Sequence, residues 1–275
     1  MASTEHPLGP EHLAGCVALS KSAHWNQNEA DWRLMLETGR GWGLSAPDGS
    51  LIASTLVLPY GDFAWVSMVL VDPAHRRQGH ASRLLRTAIA DLANRGLTPI
   101  LDATPAGRMV YSGEGFSDRW GFKRFFLARK RTAPSSARAA RPIRESDWSE
   151  ILKMDLEAFG ASRERMLRAL HARLPQAALI VEGEGFVFGR DGREAKQIGP
   201  IVARGADTAG LLLGEALRAI ETPVYVDVAD HGALEASVEA LGFSFQRPYT
   251  RMVRGPRAAP GKQELVFLVA GPELG

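Results

Sequence analysis

The stretch Val69-Leu70-Val71-Asp72-Pro73-Ala74-His75-Arg76-Arg77-Gln78-Gly79-His80-Ala81-Ser82 holds the residues whose types and spacing best suit chemistry. An apolar strand, Trp65 to Val71, runs into a basic turn containing glycine, and the turn opens into an amphipathic helix, Ser82 to Arg95. Such a turn aims free backbone N–H groups at one point, at the positive end of a helix dipole. That arrangement binds phosphate without a special side chain. Gly79 and Ala81 keep the approach narrow, and Arg76 and Arg77 add cationic charge beside it. The expected ligand carries a pyrophosphate.

Neither standard nucleotide pattern fits: there is no G-x-x-x-x-G-K-[ST] run, and no G-x-G-x-x-G with a ribose-binding acid about 20 residues on. What fits is R-x-x-G-x-A (Arg76, Gly79, Ala81) after a strand reading V-L-V-D-P. Here the sequence resembles the GNAT superfamily of acetyl-CoA-dependent N-acetyltransferases. A second stretch, Tyr111-Ser112-Gly113-Glu114-Gly115-Phe116, is similar to the Y-x-x-x-G-F that the family commonly carries after its next strand, in this chain Thr98 to Thr104.

The resemblance implies acetyl-CoA as co-substrate and no metal. It places Val69, Leu70, Val71, Arg76, Arg77, Gln78, Gly79, His80, Ala81 and Ser82 around that carrier. It implies that the strand splays open before the turn, and that an N–H near Leu70 polarises the thioester carbonyl. It also implies that Tyr111 protonates the departing thiolate. The chemistry is reasonable, because a thiol has a pKa near 8.5 and a phenol near 10. The alternative reading of Tyr111 is a half-buried aromatic whose hydroxyl caps something local.

An amine must lose a proton before it attacks. Candidate acceptor-side residues lie in His24-Trp25-Asn26-Gln27-Asn28-Glu29-Ala30-Asp31-Trp32, a segment rich in polar and aromatic groups. His24, Asn26, Gln27 and Asp31 are the expected substrate contacts. Asp31 reads equally as charge complementing a helix N-terminus, and Trp32 as core. His24 has a suitable ordinary pKa of about 6.5. His75 and His80 read as exposed loop residues. Neither C-x-x-C nor H-x-x-x-H occurs, so no metal spacing is present. The single cysteine, Cys16, lies in an apolar helical pattern and reads as core, which argues against an acetyl-cysteine route.

The elements that must position these groups follow from periodicity. Residues 10–22 and 30–38 read as helices, and Trp42 to Ser54 as a hairpin about Pro47-Asp48-Gly49. Strand, helix and strand follow through Thr104, then a short helix around Tyr111 and a last strand near Lys123 to Ala128. The order βααβββαβαβ is an α/β, mixed α+β arrangement, a central mixed sheet flanked by helices. Residues 131–142 are basic, with small residues and prolines, and read as a linker between a catalytic domain, 1–130, and a second domain, 143–275.

The second half repeats the first in outline. Ser146-Asp147-Trp148 reads as a capped helix start, Leu179 to Phe188 as paired strands, and Ile198 to Val202 as the counterpart of the Val-Leu-Val strand. Leu211 to Ile220 reads as the following helix, and Val224 to Val228 as the next strand. Repetition of the order argues for duplication, and tandem members of the family are similar. The loop Ala203 to Gly210 lacks R-x-x-G-x-A and carries Asp207, while Val238 stands where Tyr111 stands in the first half. The second copy is therefore expected to be degenerate, bracing the first.

Composition bounds the rest. The 275 residues are 45 % hydrophobic and 23 % charged, with net charge +2, which favours neither nucleic acid nor membrane as partner. With one cysteine and no signal pattern, a cytoplasmic protein is expected. The expected partner is a small-molecule amine, and in assembly a homodimer. Two other readings stay open: an acyl-CoA-binding sensor without turnover, and an enzyme acting on a peptide or protein N-terminus.

Overall fold

The computed structural model describes residues 3–130, 139–231 and 234–275. The chain divides into two compact units. Unit 1 is Met1–Asp118 with Met252–Arg257 and Leu274, and unit 2 is Arg119–Arg251 with Ala258–Glu273 and Gly275.

Unit 1 runs β1 (Thr4–Leu8), α1 (Leu13–Ser22), α2 (Glu29–Thr38), β2 (Arg40–Ser45), β3 (Leu51–Tyr60), β4 (Phe63–Val71), α3 (His80–Asn94), β5 (Thr98–Ala103), α4 (Pro105–Gly113) and the start of β6 (Phe116–Leu127). β1 to β4 pair antiparallel in chain order, and β5 joins β4 in parallel. A parallel step needs a crossover, and α3 supplies it. Leu85, Ala88 and Leu92 recur at helical spacing along α3 and are buried with Val57, Ala64, Val66, Leu101 and Ala103. α1 and α2 pack on β3, burying Cys16, Leu19, Trp32 and Met35. The indole N–H of Trp32 donates to Ser20 Oγ at 2.8 Å, tying the two helices together.

Unit 2 takes up β6 from Arg119 and continues with β7 (Arg141–Pro142), α5 (Trp148–Phe159), α6 (Glu164–Arg173), β8 (Leu179–Val181), β9 (Gly185–Arg190), β10 (Lys196–Ala203), α7 (Ala206–Ala219), β11 (Val224–Ala229), α8 (Glu235–Ala240), β12 (Ser244–Arg254) and β13 (Val266–Leu268). Its strands lie in the order β12-β6-β11-β13-β10-β9-β8-β7. From β7 to β12 the elements repeat the succession β1 to β6, as the duplication predicts. Ala209, Leu212, Leu213 and Ala216 of α7 bury against Ile198, Ile201, Val224, Val226 and Leu268.

Some expectations differ from what is observed. The strand near Lys123 to Ala128, read as the last of the first half, pairs with β11 from Phe122↔Ala229 to Leu127↔Val224 and belongs to unit 2. Long-range pairing of this kind leaves no trace in local periodicity. Arg141 and Pro142, read as linker, form a short strand against β8, and residues 131–138 of that linker lie outside the described residues. α7 starts at Ala206, so most of the stretch read as a loop from Ala203 to Gly210 is helix.

Asp147 precedes α5 but does not cap it with its side chain. Its carboxylate instead accepts from the Arg144 amide at 2.7 Å and pairs with Arg141 at 2.7 Å. The Arg141 guanidinium holds this carboxyl at about 2. The folded value lies below the unfolded one of about 3.9, so the stabilisation is complete above that pH and disappears as pH falls towards 2. Asp147→Asn is therefore expected to be less stable than the parent at pH 7, with the difference closing as pH falls through about 2. Circular dichroism across an acid titration checks this.

Candidate acyl-transfer site

The basic turn predicted from sequence is built as follows. β4 pairs with β5 at Phe63↔Thr98, Ala64↔Pro99 and Trp65↔Ile100, and there the ladder stops, although β4 continues to Val71 and β5 to Ala103. Beyond Trp65 the two strands are no longer paired. The cause lies in β4: Met68 has φ 51°, a left-handed conformation uncommon for a side-chain-bearing residue. Against β3 the register moves from Leu56↔Ser67 to Ser54↔Leu70, so Thr55 alone faces Met68 and Val69. This is a β-bulge, which bends and twists the strand that carries it. Ser54 Oγ donates to the Met68 carbonyl at 2.8 Å and holds the bulge.

The turn that follows is held by local contacts. Asp72 Oδ1 accepts from the Ala74 amide at 3.0 Å, and Arg76 Nε donates to the Val71 carbonyl at 3.2 Å. Arg77 (φ 62°) and Gly79 (φ 78°) both adopt left-handed backbone, a pattern that turns successive N–H groups inward as an anion-binding nest. Gly79 is the residue capping α3. The first helical bond is from Arg83 N–H to the Gly79 carbonyl at 2.9 Å, which leaves the amides of Gly79, His80, Ala81 and Ser82 without a helical acceptor. Arg76, Arg77 and Gln78 are exposed. His75 sits 3.4 Å from Asp72 and His80 is half-buried. Val69 and Val71 are half-buried and Leu70 buried, in the part of β4 beyond its pairing with β5.

Tyr111 lies on α4. Thr104 Oγ1 caps that helix by accepting from the Gly107 amide at 3.2 Å, with Pro105 in its first turn. The Tyr111 ring packs on the cluster of Val66, Leu101, Ala103 and Phe116, with its centroid 6.1 Å from that of Phe116. Val69, in the separated part of β4, packs on the same cluster. Arg86 of α3 pairs with Glu114 at 2.8 Å and fixes the end of α4. Burial pushes the Tyr111 phenol up to about 12. Among the described residues no hydrogen bond of its hydroxyl is seen.

The acceptor-side candidates separate into two kinds. His24 is exposed, in left-handed backbone at the end of α1 (φ 54°). Asn26, Gln27 and Asp31 are buried. The Asp31 carboxylate accepts from the Asn28 amide at 2.9 Å while Asn28 Oδ1 accepts from the Asp31 amide at 3.2 Å, a reciprocal cap on α2. Helix capping is thus its observed work. Gln27 Oε1 is different: it is buried and unpartnered.

Sequence reasoning missed Ser67. The residue is 6 % exposed and its hydroxyl is buried and unpartnered, one residue before the bulge and on the strand face opposite Val66. The signal was a lone hydroxyl in the apolar strand Phe63 to Val71. A buried polar atom without a partner costs about 1–3 kcal/mol, which makes each of these two atoms a candidate to meet a polar group.

Cys16 is fully buried, and burial pushes its thiol up to about 12, far from a reactive thiolate. Among the described residues no group of three or more His, Cys, Asp or Glu could hold a metal ion, and no helix is long and apolar enough to cross a membrane.

Residues 11–110 match the acetyltransferase (GNAT) family, and residues 151–268 match an acetyltransferase (GNAT) domain. The chain belongs to the GNAT acetyltransferases and is a tandem member. The uncharacterized N-acetyltransferase YitH of Bacillus subtilis (strain 168) is 23 % identical over 244 residues, 86 % of each chain. A crystal structure from Pyrococcus horikoshii, assigned as an acetyltransferase, superposes with TM-score 0.84 at 19 % identity, covering 99 % of this chain and 96 % of that one. A tandem GNAT protein from the clavulanic acid biosynthesis pathway gives TM-score 0.61 at 16 % identity, covering 93 % and 100 %. These two likenesses concern the fold.

Proposed function

We propose that unit 1 transfers an acetyl group from acetyl-CoA to a primary amine of a small molecule, by direct attack and in the cytoplasm. The observation that carries this reading is the separation of β4 from β5 beyond Trp65, ending in the left-handed turn at Gly79. The separation exposes a strand edge for the amide groups of the carrier, and the turn offers backbone N–H groups to its diphosphate. Val69, Leu70 and Val71 line the edge, and Arg76 to Ser82 surround the diphosphate.

In the reaction the amine nitrogen, unprotonated, attacks the thioester carbonyl. The C–N bond forms, the C–S bond breaks, sulfur leaves with the electron pair, and the attacking nitrogen gives up its extra proton to solvent as it becomes the amide. A strand N–H near Leu70 stabilises the oxyanion, a contribution of about 2.7–4 kcal/mol when such a donor is well aimed. Gln27 and Ser67 supply polar contacts to the acceptor; the buried amide oxygen of Gln27 accepts from the amine. Tyr111 serves the departing sulfur as a hydrogen-bond donor. Its phenol, at about 12, lies well above a thiol at about 8.5, so full transfer of its proton to the thiolate is uphill and the thiol completes its protonation from water.

The test is thiol release with acetyl-CoA and a panel of small amines, run on the whole chain. Release with at least one amine is expected. Binding of acetyl-CoA without release from any amine marks a sensor, and release only with peptide N-termini moves the acceptor to that class. Charge reversal is avoided by the milder pair Arg76→Ala and Arg77→Ala. Together they are expected to raise the KM for acetyl-CoA about tenfold with kcat little changed, since they contribute binding common to ground and transition states. The difference between the pair and the parent should narrow as salt is raised, because both arginines are exposed.

A further inference from the structure

The two units treat the same cleft differently. In unit 2, β10 and β11 pair in parallel at Lys196↔Val224, Gln197↔Tyr225 and Ile198↔Val226, the same short ladder that β4 and β5 make in unit 1. Both ladders stop beside an irregularity: Met68 in β4, and in β10 a register shift against β9 between Ile198 and Ile201. In unit 1 the strands past that point are neighbours, with no strand between them among the described residues. In unit 2, β13 enters the gap. It pairs antiparallel with β10 at Ile201↔Leu268 and Val202↔Val266, and with β11 at Val228↔Leu268. The Val269 amide then donates to the Asp227 carbonyl at 3.0 Å.

The inserted segment is anchored. Phe267 and Leu268 are buried in the core shared by α7, β10 and β11. The His231 ring bonds the Val266 carbonyl through Nε2 at 2.8 Å and meets Phe267 edge-on. A Cβ added at Gly199 would lie 2.2 Å from the Val269 carbonyl oxygen, so β10 has a glycine where the segment passes closest. The anion end of the cleft is closed as well. Gly205, which caps α7, is extended rather than left-handed, Asp207 is in the first turn, and Thr208 donates to the Glu184 carboxylate at 2.5 Å. Two carboxylates at a helix N-terminus oppose a diphosphate through like charge.

We infer that β13 is a resident occupant of the second cleft, standing where an acyl carrier would add its amides, so that the tandem chain has one acyl-donor site and not two. The inference rests on the reading of the unit 1 cleft as the acyl-donor site. It explains the degenerate turn of the second half: a cleft filled by its own chain has no use for a phosphate-binding loop. It also assigns the C-terminal segment a definite task, closing unit 2 with main-chain bonds on both sides.

Two measurements on the full chain test it. Titration calorimetry with acetyl-CoA should give one molecule per chain, and hydrogen exchange should slow on binding in peptides spanning 66–83 but not in those spanning 196–208 or 266–269. In the ligand-free chain the amides of Leu268 and Val269 should already exchange as slowly as those of β10. Two molecules per chain, or slowed exchange at 196–208, overturns the inference. So does rapid exchange of Leu268 and Val269 before any ligand is added. Absence of all binding refutes the proposed function instead, and the ligand-free exchange still decides the place of β13.

Discussion

Tyr111→Phe is expected to lower kcat about 10²-fold while leaving the dissociation constant for acetyl-CoA within a factor of about two, because in the proposed reaction the phenol acts on charge that develops only as sulfur departs. The ring keeps its packing against Phe116 and the cluster around Val66, so folding is retained. The pH dependence supplies a second readout. Burial raises the Tyr111 pKa to about 12, so the neutral, donating form persists through the usual working range. Activity should rise as the amine loses its proton and then level off to about pH 10, with no fall assignable to the phenol. Steady-state rates from pH 6 to about 10 on parent and variant check both points. Undiminished turnover in the variant at every pH removes Tyr111 from the reaction.

The second large effect concerns stability. In unit 2, Arg124 donates through Nε and Nη2 to Asp227 at 2.8 and 2.7 Å, and Gln197 Nε2 donates to the same carboxylate at 2.7 Å. Arg190 continues the chain to Gln197 at 3.0 Å and to Glu273. Both members of the first pair are almost wholly buried. Asp227→Asn keeps the shape and removes the charge, stranding the Arg124 guanidinium in the interior. Removing one partner of a buried pair costs about 3–5 kcal/mol. For a chain of this size that is a fall in Tm of about 10 °C, measurable by calorimetry. Replacing both Arg124 and Asp227 by apolar residues of similar volume should recover much of the loss. A variant as stable as the parent would mean that the network carries no net charge pairing.

Much of this was legible in the sequence because it is local. R-x-x-G-x-A needs only a strand before it and a helix after it, and β4 and α3 lie within two residues of the expected bounds. The repeated succession of elements was likewise readable from periodicity, and Cys16 is the core residue it was taken to be. Other features depend on distant partners. Nothing in methionine marks Met68 for left-handed backbone; the bulge exists because β3 and β4 are held out of simple register on both sides of it. β13 is three residues long, and its pairing with two strands far back in the chain has no local signal. Asp31 is committed to a helix cap, while Gln27 beside it leaves a buried oxygen unpartnered, a distinction that only side-chain geometry makes.

The central claim is that the turn from Arg76 to Ser82 and the open edge of β4 together seat the acyl carrier. A crystal structure of the chain with acetyl-CoA tests it most directly. The account predicts the diphosphate within hydrogen-bonding distance of the amides from Gly79 to Ser82, and the amide arm alongside β4 past Trp65. Well-defined acetyl-CoA bound elsewhere, with this turn unliganded, would contradict it.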